Sequence, residues 1–274
     1  MAITRTNPRS LGSVTFVYRR AVLVGKVVTR FAVLFAGVVV FAKLATELHA
    51  HGAIPFDTPI LKWLHGHRTP GWTRVMLLVS ELGSTPVLIP LAVISGAALW
   101  LHGNKRAATF VWVTGAGSGL MNQGLKMLFE RARPEELLRL AGASGFAFPS
   151  GHSMGAAAVY GALAIVAFTR FPRFKWSAIA LCSSIVAAIG ASRAYLHVHY
   201  PSDVLAGWAL GFTWPLWLRH PLLTRPWRPF WRGHRVGPLT QAAEQAAGKV
   251  PLTEAANKLL QKGTEVLPHS RSTS

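Results

Sequence analysis

Acid is scarce in this chain: Asp and Glu number 10 among 274 residues, against 29 Lys and Arg. The acids do not gather into the clustered carboxylates that hold Ca²⁺ or Mg²⁺, so chemistry resting on such a cage is excluded and no metal or other cofactor is expected. Charge of either sign is scarce, at 14% of residues, while 51% are hydrophobic and the mean hydropathy is +0.33. That balance excludes an ordinary soluble domain. Cysteine is nearly missing too: Cys182 stands alone inside an apolar run, so no intrachain disulfide forms and redox compartment is not indicated. No internal repeat and no second soluble domain can be traced.

What is present is a series of apolar segments with bases between them. The formal net charge of +19 would fit a nucleic-acid partner only if the bases shared one polar face. They sit instead in short clusters between apolar segments, as in cytoplasmic membrane loops. Arg19, Arg20, Lys26 and Arg30 precede the first apolar stretch in the manner of a signal-peptide n-region. The apolar part starts too late and lacks a small-x-small cleavage site, so an uncleaved first span is expected.

In chain order, residues 1–20 read as a disordered basic arm within a cytoplasmic segment 1–30. The first span runs from Phe31 to about Leu48, with Val22 to Val28 as a possible earlier start and Lys43 snorkelling or facing the bundle. From His49 to Thr73 the sequence is mixed, with Asp57, Trp63 and several histidines; Ile60, Leu61 and Leu64 recur at helical spacing, which predicts a short interfacial helix. A second short segment, Met76 to Leu82, stops at Gly83-Ser84. Further spans are expected over Thr85–Leu101, Ala107–Phe129, Ser153–Thr169, Trp176–Ser192 and Val204–Leu218. Several have about seventeen residues, at the short end for a ~30 Å hydrocarbon core. The fold class is therefore all-α, a six-span transmembrane bundle over 31–218, with short interfacial helices between spans one and two. A basic, polar cytoplasmic tail over 219–274 begins with an Arg/Trp/Pro-rich stretch suited to an anionic lipid surface.

Placing the N-terminus inside puts the basic arm, Lys105-Arg106, the Arg170/Arg173/Lys175 turn and the tail on the cytoplasmic side, as the positive-inside bias requires. The opposite side then receives three motif pieces: Lys126-x6-Arg133-Pro134, Pro149-Ser150-Gly151-His152, and Ser192-Arg193-x5-His199-x3-Asp203. The loop of about twenty residues before Pro149 is longer than most connections and is itself a functional suspect.

Each piece has an ordinary explanation. Lys126 and Arg193 are interfacial anchors, Arg133-Pro134 is loop chemistry, Ser150 caps a helix, Asp203 offsets a helix dipole, and His199 is an interfacial histidine. The joint explanation is a phosphate site. Three cations on the face where the positive-inside bias disfavours them need an anion, and two guanidinium forks with one ammonium suit a phosphoryl group. A helix opening at Ser150 turns unpaired N–H groups toward that anion, and Gly151 permits close backbone approach. Pro201 starts the last helix, with Asp203 in its first turn. Asp203 can then fix the tautomer of His199 and leave its other nitrogen free to attack. In that scheme His199 is the nucleophile, His152 the acid and then base, and Lys126, Arg133 and Arg193 stabilise the non-bridging oxygens. His197 is a decoy, with an extended backbone expected there and its side chain expected on the opposite side from His199.

The three pieces resemble the signature of the type 2 phosphatidic acid phosphatase (PAP2) superfamily: K-x6-R-P, P-S-G-H and S-R-x5-H-x3-D, met without departure over residues 126–203. The resemblance implies a bacterial integral-membrane lipid phosphatase with an extracytoplasmic site in the inner membrane. It implies a phosphohistidine at His199, acid/base work at His152, and phosphate binding by Lys126, Arg133, Ser150, Gly151 and Arg193. Family substrates include phosphatidic acid, phosphatidylglycerol phosphate, undecaprenyl pyrophosphate and sphingoid phosphates, so the expected partner is a phospholipid or polyprenyl phosphate. Nucleic acid is not expected. Two other readings compete. Vanadate haloperoxidases resemble the same signature but are soluble, and a non-catalytic lipid-phosphate binder or transporter would need the cations but not His199 with Asp203.

Overall fold

The computed structural model describes residues 8–135, 138–142 and 144–224, and among these residues the regular structure is helical throughout. The chain forms α1 (Pro8–His51), α2 (Asp57–Gly66), α3 (Pro70–Glu81), α4 (Thr85–Leu101), α5 (Lys105–Phe129), α6 (Gly151–Arg170), α7 (Lys175–Tyr195) and α8 (Pro201–Arg219), then a π-helical turn over His220–Thr224. Residues 1–7 and, of the tail expected over 219–274, residues 225–274 lie outside the described residues.

The disordered arm expected for residues 1–20 is corrected from Pro8 onward, where a single helix of 44 residues begins. The reason is local: no proline falls between Pro8 and Pro55, and a helix once nucleated extends at little cost per residue. Only its Phe31–His51 part is apolar enough to cross a bilayer. By length and composition that segment, α6 and α7 qualify as spans, and α3 with α4 makes a fourth if their 43° bend is a break within one span. Six qualifying spans are therefore not found, although the six long helices coincide with the segments expected from sequence. α4 has 17 residues, and small and polar residues such as Gly115, Gly117, Ser118, Gly119, Asn122 and Gln123 lower the hydropathy of α5.

Two features of this bundle position the site. The first is the approach of α8 to α6. A Cβ on Gly207 would stand 2.8 Å from the Ser150 carbonyl oxygen, and one on Gly211 would stand 2.6 Å from that of Met154. Lacking side chains there, α8 lies directly against the first turns of α6. The buried face of α6 is correspondingly small, with Ala156, Ala157, Ala158 and Ala162 all sealed from solvent. The second is the elbow between α3 and α4, where Gly83 sits under His152 and against Ile189 of α7. Tyr160 of α6 clamps the elbow by donating to the Leu82 carbonyl at 3.1 Å.

Candidate active site

Helix ends make this site. α5 stops at Glu130, which adopts the left-handed conformation (φ 44°) and turns the chain into the 130–149 loop. Ser150 caps α6, its hydroxyl accepting from the Ser153 N–H at 3.4 Å and from the Ser153 hydroxyl at 3.0 Å. Its own N–H donates to the Asp203 carbonyl at 3.0 Å, which ties the start of α6 to the start of α8. The N–H groups of Gly151 and His152 remain as the unpaired donors of a helix N-terminus. Gly151 has a further reason to be glycine: a Cβ there would stand 3.0 Å from Asn122 Oδ1, whose amide donates to the Pro149 carbonyl.

The loop then gathers cations. Lys126 Nζ donates to the Phe146 carbonyl at 2.6 Å. Arg133 commits all five of its N–H donors to protein acceptors. Its Nε reaches Gly145 O at 2.8 Å; Nη2 reaches Ser144 O at 2.8 Å and Phe146 O at 3.4 Å; Nη1 reaches Val198 O at 2.7 Å and His199 Nε2 at 3.3 Å.

This last contact fixes the state of His199. A guanidinium can only donate, so Nε2 must be the accepting, unprotonated nitrogen and the ring proton belongs to Nδ1. Nδ1 faces Asp203 Oδ2 at 3.4 Å, close enough for an ion pair but too poorly aligned for a hydrogen bond. Complete burial holds the imidazole well below its ordinary value, to about 4, with the adjacent Asp203 carboxylate pulling the other way. His199 is thus neutral at pH 7, with a lone pair on Nε2 and an acid behind Nδ1.

Arg193, buried near the end of α7, donates from Nη1 to Ser80 Oγ of α3, while its Nε finds no acceptor among the described residues. His152 lies in the combined field of Arg193, His199, Arg133 and Lys126. Lys126, Arg133, His152, Arg193, His199 and Asp203 therefore stand together at one end of the bundle. The Ser150 hydroxyl is turned into its own helix cap rather than toward the cations.

The extended backbone expected at His197 is corrected. It sits in a turn at φ +57°, and its buried ring faces His65 of α2 with centroids 5.8 Å apart. Extended backbone would have carried residues two apart to the same side, so the left-handed turn at His197 is what separates the two histidines. Sequence reasoning passed over Arg131 and Asp57. The Arg131 guanidinium donates to Asp203 Oδ1 at 2.5 Å, to Ser202 Oγ at 2.8 Å and to Asp57 Oδ2 at 2.8 Å. The available signal was scarcity: a chain with ten acids that places one in an apolar interhelical segment must pair it.

Residues 106–227 match the PAP2 superfamily. Phosphatidylglycerophosphatase B of Bacillus subtilis is 34% identical over 174 residues, covering 62% of this chain and 85% of that protein. The crystal structure of a transmembrane PAP2 type phosphatidylglycerolphosphate phosphatase from Bacillus subtilis superposes with a TM-score of 0.66 at 30% identity, over 71% of this chain and 98% of that one. Lipid A 1-phosphatase of Rhizobium johnstonii is 36% identical over 111 residues, covering 37% of this chain and 42% of that protein. With a shared helical architecture, a relative matched over most of its length and the cation and histidine pieces at one end of the bundle, the chain belongs to the PAP2 superfamily.

Proposed function

We propose that this protein is an integral-membrane lipid phosphatase that cleaves a phosphate monoester or pyrophosphate lipid through a phosphohistidine on His199, without a metal. The observation that carries the reading is the contact of Arg133 with His199 Nε2 while Asp203 stands behind Nδ1. A nucleophilic lone pair and an anion-binding fork occupy the same point, where an incoming phosphorus would lie.

In the proposed reaction the Nε2 lone pair forms a bond to phosphorus in line with the leaving oxygen. As the P–O bond breaks, its electron pair goes to the lipid oxygen, which takes a proton from His152. Charge on the non-bridging oxygens is met by Arg133, by the partnerless Nε–H of Arg193, and by Lys126, whose ammonium has two further donors beyond the one given to Phe146. The N–H groups of Gly151 and His152, at the positive end of α6, add to this cradle, and Ser150 holds the turn that presents them. Asp203 balances the positive charge on the phosphorylated ring. Water then attacks phosphorus, His152 takes its proton, and the P–N electron pair returns to Nε2.

The topology that fits this chemistry has six spans: the Phe31–His51 part of α1, then α4, α5, α6, α7 and α8. Both ends of the chain are cytoplasmic, in the inner membrane, and the site opens on the extracytoplasmic side. Support comes from the Lys105-Arg106 and Arg170/Arg173/Lys175 clusters falling at the helix ends away from the site. Among substrates, the relatives with the longest coverage favour phosphatidylglycerol phosphate over phosphatidic acid and undecaprenyl pyrophosphate. Phosphate release from these three lipids in detergent, with and without EDTA, tests the reading. Release resistant to EDTA and highest for phosphatidylglycerol phosphate is expected; absence of release from all three, or loss with EDTA, would reject it.

A further inference from the structure

Behind the histidine and its aspartate lies a buried polar assembly that the proposed reaction does not use. Asp57 opens α2, and its side chain is 2% exposed. Its Oδ1 accepts the Ser202 N–H at 2.9 Å, and its Oδ2 accepts the Ser202 hydroxyl at 2.5 Å. Ser202 is the second residue of α8, so a carboxylate from 145 positions earlier caps the helix whose third residue is Asp203. Arg131 fills the space between the two acids. Its Nη2 binds Asp57, its Nη1 binds Ser202 Oγ and Asp203 Oδ1, and its guanidinium carbon lies 4.1 Å from the centroid of the Tyr200 ring.

The consequence for Asp203 is geometric. Its Oδ1 is held by Arg131 and its Oδ2 by the Tyr200 N–H at 2.9 Å, so the carboxylate cannot rotate and presents the Oδ2 edge to His199. Asp57, Arg131 and Asp203 together carry one negative charge, enough to balance a single positive ring. Without Arg131, two carboxylates would share a dry pocket around Ser202 and Asp203 would lose the donor that aims it.

We propose that Asp57 and Arg131 are positioning residues for the reaction: they lock the first turn of α8 so that Asp203 holds His199 in its attacking orientation. The inference rests on the assignment of His199 as nucleophile. It makes α2 part of the machinery that aligns the site, although α2 carries none of the phosphate cations.

The test uses the full-length protein in detergent, with phosphatidic acid as probe. Asp57→Asn and Arg131→Lys are expected to lower kcat by about 10- to 100-fold with KM within about twofold, the range typical of lost outer-shell partners. The burst of radiolabel trapped on histidine from labelled phosphatidic acid should slow by the same factor. The double variant should be no worse than the more damaged single one, because the two residues act as one unit. Ser202→Ala, which deletes only the bridging hydroxyl and preserves packing, should lower kcat by about three- to tenfold, and this keeps the test decisive should the charge variants fail to fold. Unchanged kcat per folded molecule in Ser202→Ala, or single variants that lose thermal stability while the burst rate stays at the parent value, would overturn the proposal. Full phosphate release by His199→Ala would instead overturn the assignment of the nucleophile, and this inference with it.

Discussion

The two ends of the bundle use the same residue types in opposite ways. At the end formed by the start of α5 and the junction of α6 and α7, Lys105 rests over Trp100 at 5.1 Å, and Lys175 lies 5.6 Å from both the Phe168 and Trp176 rings. Arg170 and Arg173 there are exposed. The two lysines lean on aromatic surface, as snorkelling cations do. At the other end Arg131 and Arg193 are buried, and Arg133 spends every donor on carbonyls and a histidine. Counting cations would not separate the two ends. What separates them is whether each cation has been taken out of water and given fixed acceptors, a costly arrangement that only a specific partner explains.

The largest break in this contrast is expected from His199→Ala, which should lower phosphate release in detergent by about 10³-fold or more, as loss of a covalent nucleophile does. His197→Ala, two residues away and equally buried but facing α2, should retain kcat within about twofold. Parity between the two variants would erase the distinction between site and scaffold.

Next comes Arg133→Lys, which keeps the charge and discards the fork. An ammonium has three donors where the guanidinium spends five, so a loss of about 100-fold in kcat/KM is expected, while Lys105→Ala at the far end should stay within about twofold. Steady-state kinetics on one lipid phosphate decides between them.

A smaller effect is expected with pH. Were His199 to titrate near the ordinary ~6.5, only about a tenth of it would be neutral at pH 5.5. Burial lowers it to about 4, so the acid limb of kcat/KM set by this group should appear below about pH 5. The sign for stability follows from the same depression. The folded protein resists protonation that the unfolded chain accepts, so stability present above the unfolded value is lost as pH falls toward 4. A kcat/KM profile with its acid limb near 6.5 would mean that His199 is not the buried neutral group described above.

Much of the fold was legible because membrane helices announce themselves locally. Ser150 as a cap, Pro201 as a helix start and the stop at Gly83-Ser84 each follow from the few residues around them. The three motif pieces were legible for the same reason, as each sits within a dozen residues. The pairing of Arg131 with Asp57 spans 74 positions, and no local pattern encodes it. Arg131 was further masked by Arg133, the cation that the K-x6-R-P piece singles out; in the fold Arg133 reaches the carbonyls and His199 while Arg131 turns into the acids. The helix from Pro8 was missed because basic residues read as a solvated arm, whereas no proline between Pro8 and Pro55 interrupts the helix that runs through them. The left-handed turn at His197 depends on packing against α2, which periodicity cannot register.

The saturation of Arg133 bears finally on turnover. Its guanidinium has a full set of protein acceptors, so on the proposed reading an arriving phosphate trades places with the Phe146 carbonyl and the imidazole nitrogen. Those two contacts, at 3.4 and 3.3 Å, are the longest of the five and the easiest to surrender. Affinity for inorganic phosphate is then a small difference between two sets of hydrogen bonds. On the proposed reading, an anchor wired in this way would orient an anion and still release the product, favouring rapid clearing of the site over tight retention.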